Sequence, residues 1–218
     1  MQAHDVEQGS EEWFALRAGM PTASNFSTIV TGTGKSSDQK KKYARTLAGE
    51  QYAGRGLENW SGNQWTERGK ELEPDARAEY IFICADEVQE VGFVTNGLQT
   101  MGCSPDGLVG EDGLVEFKAL SPDAHVAVCD YFIAKTHAPP AYVSQVQGQL
   151  LICERGWCDL VFYHPILPNL SIRVFPDTDF QQKLLEGISE VIAERDRLLA
   201  VLNDVESGAT HYPTEKED

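Results

Sequence analysis

Along this chain of 218 residues, apolar side chains return at two periods that divide it into helices and strands. Trp13 and Leu16 form an apolar stripe behind the cap-forming Ser10 and the early acids Glu11 and Glu12, and Gly19 closes the segment, which predicts a short helix. Met20 to Phe26 turns the chain into a second helix reaching about Val30. The small residues from Thr31 to Ser37 predict a loop, and a helix from about Asp38 to Ala53 follows, ending at Gly54. Helical character returns from Trp65 to Cys84, where Pro74 predicts a kink or a fresh start. Glu87 to Val94 alternates as a strand, and Thr100 to Cys103 and Leu108 to Lys118 continue the sheet. Ser121-Pro122-Asp123 opens a helix to about Ala134, and Ala141 to Cys153 forms another beyond Pro139-Pro140. Trp157 to His164 and Leu170 to Phe175 read as a hairpin. Phe180, Leu184, Ile188, Val191, Leu198 and Leu202 keep a helical period behind Asp177, giving a last helix from Thr178 to about Asp204. The sum is a mixed α/β domain over residues 1–205, with a central sheet of about five strands between helices and a polar tail at 206–218.

Composition narrows the function classes. No apolar run approaches the roughly 20 residues of a membrane helix, and Met1 to Ser10 is too polar for a signal peptide. Five cysteines without a Cys-x-x-Cys pair argue against a zinc or iron–sulfur cage and for free thiols in a reducing cytoplasm. A net charge of −16 argues against a generally sticky nucleic-acid binder, but not against an enzyme with a local basic patch. The one dense basic run holds Lys35, Lys40, Lys41, Lys42 and Arg45, and on composition alone reads as a solvated loop or helix face.

The chemistry concentrates between Gly102 and Lys118. Asp106 stands in a Ser-Pro-Asp-Gly corner, and a hairpin can fold it back beside Glu116. Side chains at i and i+2 of a strand leave the same face, so Glu116 and Lys118 point together and Phe117 points away. Two carboxylates with an ammonium beside them suit Mg²⁺ or Mn²⁺, which keep waters and bind substrate phosphate. Such a set serves in-line displacement at phosphorus. A charged strand end beside a turn is the plain alternative. Arg17, four residues after Trp13, fits either the surface or a phosphate clamp, and Ser24 fits either a helix cap or an anion site. Tyr142, Gln145 and Gln149 share a face of a mostly apolar helix; buried glutamines there need partners, which a phosphate or a bound water can supply.

Six pieces then recur in a familiar order: Glu12-Trp13-x-x-x-Arg17, Thr22-Ala23-Ser24, Gly69-Lys70-Glu71-Leu72-Glu73-x-x-Ala76-Arg77, Cys103-Ser104-Pro105-Asp106-Gly107, Glu116-Phe117-Lys118 and Tyr142-x-x-Gln145-Val146-Gln147. The set resembles the phage lambda-type alkaline exonucleases (YqaJ-type viral recombinase nucleases) of the PD-(D/E)xK superfamily, whose core is restriction-endonuclease-like. The resemblance implies a 5′-to-3′ exonuclease on double-stranded DNA, acting as a ring-shaped homotrimer in the cytoplasm of a bacterial host and leaving single strands for an annealing protein. It implies that Asp106, Glu116 and the main-chain carbonyl of Phe117 hold Mg²⁺, for which Mn²⁺ can substitute, that Lys118 is the catalytic lysine, and that Glu73 orders the metal or its waters. Arg17, Ser24 and Ser104 are implied to bind the 5′-phosphate, Gln145 to orient the scissile group, and Tyr142 to support its helix. Where relatives carry an apolar wedge this chain reads Trp65-Thr66-Glu67-Arg68, so Trp65 or Trp60 is the candidate to stack on a base. The Lys35–Arg45 segment is the candidate for DNA-backbone contacts. Another PD-(D/E)xK nuclease, endonucleolytic or RecB-like, and a non-catalytic DNA-end scaffold are the alternatives.

Overall fold

A computed structural model describes residues 1–56, 64–84 and 87–208. The side chains of 64–70, including that of Trp65, lie outside the described residues, as do Trp60 and the tail from 209. Among the described residues the helices are α1 (Glu11–Arg17), α2 (Lys40–Ala53), α3 (Gln64–Cys84), α4 (Pro122–Lys135), α5 (Pro140–Cys153) and α6 (Thr178–Glu206), with eight strands. The strands are β1 (Gln2–His4), β2 (Val88–Gln89), β3 (Phe93–Thr95), β4 (Gly102–Cys103), β5 (Gly107–Val109), β6 (Gly113–Ala119), β7 (Trp157–Tyr163) and β8 (Leu170–Val174).

The central sheet has five strands in the order β2-β5-β6-β7-β8. It is mixed: β6 and β7 run parallel, with Glu116 opposite Leu160, and the other pairs are antiparallel. A parallel neighbour requires a crossover, and α4 and α5 form it. Alternation along β6 splits the core. Val115 and Phe117 pack with Ala76 and Tyr80 of α3 on one face, while Leu114 joins Val146, Leu150 and Leu184 on the other. The sheet therefore lies between helices, as the hydrophobic pattern requires.

Several boundaries differ from the sequence reading. The stretch from Glu87 to Val94 is not one strand: β2 joins the central sheet, and β3 joins a separate sheet in the order β1-β3-β4. The break falls at Gly92, where a Cβ would come within 1.7 Å of the Val6 carbonyl, so the N-terminal segment packs on bare backbone. That segment is itself a strand, pairing Ala3 with Val94, and its polar composition hid it. Pro74 neither breaks α3 nor starts a new helix. The second predicted helix is a 3-10 helix, Ala23–Thr28, and Ser24 is not its cap; Thr22 stands there, without a side-chain cap bond. The caps at Ser10, Ser121 and Asp177 form as the sequence implies. No helix among the described residues is long and apolar enough to cross a membrane.

Candidate active site

The β5–β6 hairpin delivers the acidic pair. Its register sets Gly107 opposite Val115, so the residue before the first falls beside the residue after the second. The Phe117 amide donates to Asp106 Oδ2 at 2.6 Å, which ties the corner to β6. A strand residue sends its N–H and C=O to the same edge, so the Phe117 carbonyl faces the Asp106 side, where β5 has already ended. Glu116 is 3% exposed and takes three donors. Lys118 Nζ at 2.5 Å and Gln145 Nε2 at 2.6 Å reach Oε1, and Gln149 Nε2 at 2.6 Å reaches Oε2. The glutamines read from the helix pattern thus find their partner in a carboxylate.

Burial, then the nearby Glu116 charge, holds the Asp106 carboxyl well above its ordinary range, with Lys118 opposing. Burial alone would lower the Lys118 ammonium; the Glu116 and Asp106 carboxylates outweigh it and raise it. Lys118 is therefore a cation at any ordinary working pH. Among the described residues no three His, Cys, Asp or Glu side chains gather to hold a metal. Two carboxylates beside an open carbonyl edge nonetheless fit Mg²⁺ or Mn²⁺, which use few protein ligands and keep several waters.

Unbroken α3 brings Glu73 to the back of this site. Its carboxyl is raised by burial first, against the pull of Arg77, and Glu116 and Asp106 lie within electrostatic reach. The sequence pattern alone gives Arg77 no role. Its Nη1 donates to the Asp106 carbonyl at 2.5 Å and its Nη2 to Glu73 Oε1 at 2.6 Å, so one guanidinium fastens the hairpin corner to the helix. The signal was the Glu73/Arg77 spacing of four on one helix face.

A cavity of about 800 Å³ opens in front of the glutamines. Arg17, Ser24 and Ser104 all line it, with Gln145 and Gln149 as its inner wall. Trp13, which the sequence offers only as apolar surface, organises the entrance. Its indole N–H lies 3.0 Å from Ser104 Oγ and 3.2 Å from the Gly92 carbonyl, to which Ser104 Oγ itself donates at 2.8 Å. The Arg17 guanidinium lies over the Trp13 ring, 3.9 Å from its centroid. Burial lowers the Arg17 pKa against the pull of Tyr43 and Glu50, and among the described residues no hydrogen bond or ion pair engages its guanidinium. A largely buried arginine with unused donors is built to receive an anion. Tyr142 meets Phe162 edge-on at 5.1 Å and so fixes α5 to the sheet.

The basic segment is not gathered at this cavity. Only Lys42 lines it. Lys40 pairs with Glu190 of α6, and Lys41 and Arg45 lie within electrostatic reach of Glu194. Lys35 sits in the loop before α2, where its carbonyl accepts from Thr31.

The fold has close counterparts among solved structures. The profile of the YqaJ-like viral recombinase domain matches residues 12–156. An alkaline exonuclease from Laribacter hongkongensis, LHK-Exo, is 31% identical, with a TM-score of 0.79 over 91% of this chain and 98% of that one. Its complex with dAMP matches with a TM-score of 0.78. A phage-related exonuclease from Haemophilus somnus 129PT shares the fold at 17% identity, with a TM-score of 0.66 over 84% of this chain and 96% of that one. No relative among the curated proteins matches. Because the profile spans more than half the chain and its like is found in an exonuclease nearly coextensive with it, the chain belongs to the YqaJ-like viral recombinase family, the lambda-type alkaline exonucleases.

Proposed function

We propose that this protein is a divalent-metal-dependent 5′-to-3′ exonuclease that degrades one strand of linear double-stranded DNA. The observation that carries the reading is the Arg17 guanidinium, which no hydrogen bond or ion pair among the described residues engages, at the mouth of a cavity whose inner wall grips Glu116. Arg17, Ser24 and Ser104 receive the terminal 5′-phosphate, which sets the scissile group one nucleotide inward. Asp106, Glu116 and the Phe117 carbonyl hold Mg²⁺ or Mn²⁺, which supplies Lewis-acid charge at the phosphoryl group. Lys118, as an ammonium, offsets negative charge that grows on the phosphate oxygens. Gln145 orients the scissile group, and Glu73, held by Arg77, tunes the field behind Asp106. Lys42 touches the DNA backbone at the rim, and Trp65 stacks at the parting strands. A trimeric ring, a single-strand annealing partner and a place in a host cytoplasm complete the reading, on the strength of the family.

The test is digestion with Mg²⁺ of a linear duplex carrying a 5′-phosphate, the same duplex with a 5′-hydroxyl, and a covalently closed circle, with a chelator control. Loss of the linear forms alone, faster with the phosphate and leaving one strand, is the expected result. Lys118→Ala then loses about 10²–10³-fold in turnover, the cost of removing one electrostatic donor, and keeps its grip on DNA ends. Cutting of the circle shifts the assignment to an endonuclease. End binding without cutting shifts it to a scaffold.

A further inference from the structure

Gln149 has no part in the site so far beyond holding Glu116, yet its amide is only half used. The side chain is 1% exposed. Its partner is a carboxylate, which only accepts, so the amide must turn Nε2 toward Glu116, at 2.6 Å. Oε1 then faces the other way, buried and without a hydrogen-bond partner. Buried acceptors are almost always satisfied. Gln149 also lines the cavity that Arg17, Ser24 and Ser104 share, so the missing donor arrives from that side.

The reaction limits what the donor can be. Resting on the exonuclease reading, the reactants are a phosphodiester and water. Phosphate oxygens accept, as do the carboxylates of Asp106 and Glu116; of the two reactants only water has hydrogens to give. We propose that Gln149 is a positioning residue that holds the attacking water, accepting its hydrogen bond at Oε1 while Nε2 anchors the amide to Glu116. The two ends of one amide thereby set the water relative to the carboxylate that marks the reacting centre. The side chain is placed rigidly: it sits mid-helix on α5, and the adjacent Gly148 lets that helix press on Phe26, which a Cβ there would meet at 2.3 Å.

The test is Gln149→Met, close in volume and without either polar end. Turnover is expected to fall about 100-fold, the effect of misplacing a reacting atom by about an ångström. KM for linear duplex and the Mn²⁺ dissociation constant, followed by calorimetry without DNA, are expected to stay within about threefold. Retained Mn²⁺ binding also shows that the variant is folded. Turnover within about threefold of wild type overturns the proposal, as does a loss of Mn²⁺ affinity as large as the loss of turnover, because Gln149 then acts only by holding Glu116. Loss of Mn²⁺ binding altogether with a collapsed near-ultraviolet dichroism makes it a packing residue, which also overturns the proposal. An inactive wild type in the same assay defeats the exonuclease reading instead, so the two failures are distinct.

Discussion

Asp106 carries its proton more tightly in the folded chain than in the unfolded one, because burial and then the Glu116 charge raise it above the ordinary aspartate value of 3.8. The sign follows directly. The stability it contributes is fully present below that ordinary value and is lost as the pH rises through the raised one. Metal-free protein should therefore melt at lower temperature as the pH climbs through that window. Asp106→Asn, which cannot ionise and can still accept from the Phe117 amide, should flatten the trend; melting curves in chelator check it, and equal slopes overturn it. The same residue shows what the sequence makes legible. Asp106, Glu116 and Lys118 can be read from a two-residue period and a turn, because both rules are local. Arg77 and Trp13 could not be assigned, because their work is done on Asp106 and Ser104, which reach them only through the tertiary fold.

At the scale of the element, α5 is the part on which the site depends most. It brings Gln145 and Gln149 to Glu116, and it can do so because Gly148 lets it lie against the 3-10 helix. Gly148→Ala sets a Cβ 2.3 Å from the fully buried Phe26 ring. Overpacking of this kind costs about 1–3 kcal/mol, and the shift of α5 pulls both amides off the carboxylate. Denaturant titration should show the lost stability and turnover should fall with it; unchanged values would mean that the ring yields freely. The helix could be read from its apolar period, and its amides from their place on one face. What misled the sequence reading elsewhere was a local rule overruled by packing. Pro74 sits inside a helix that Ala76 and Tyr80 bind to the sheet, and Glu87 to Val94 is divided between two sheets by the N-terminal strand.

The whole molecule carries a net charge of −16, so DNA approaches against a repulsive field and is welcomed only where cations are left unmatched. Lys40 is occupied by Glu190, Lys41 and Arg45 lie near Glu194, and Lys118 is paired with Glu116, which leaves Arg17 and Lys42 at the cavity. The salt dependence of end binding should therefore be shallow, with a log–log slope no steeper than about −2 at roughly 0.9 per phosphate. Binding isotherms across salt concentrations measure it, and a slope near about −6 would show that the basic segment is engaged as well. The parallel pairing of β6 with β7 has a consequence in time. The β5–β6 hairpin closes between near neighbours and sets Asp106 beside Glu116 early, whereas β7 must find β6 across both α4 and α5. Contacts between distant parts of a chain form slowly. During refolding the acidic pair is thus assembled first, and the glutamines, the arginine clamp and the closed sheet arrive afterwards, so the nascent protein has a place for a cation before it has a place for DNA.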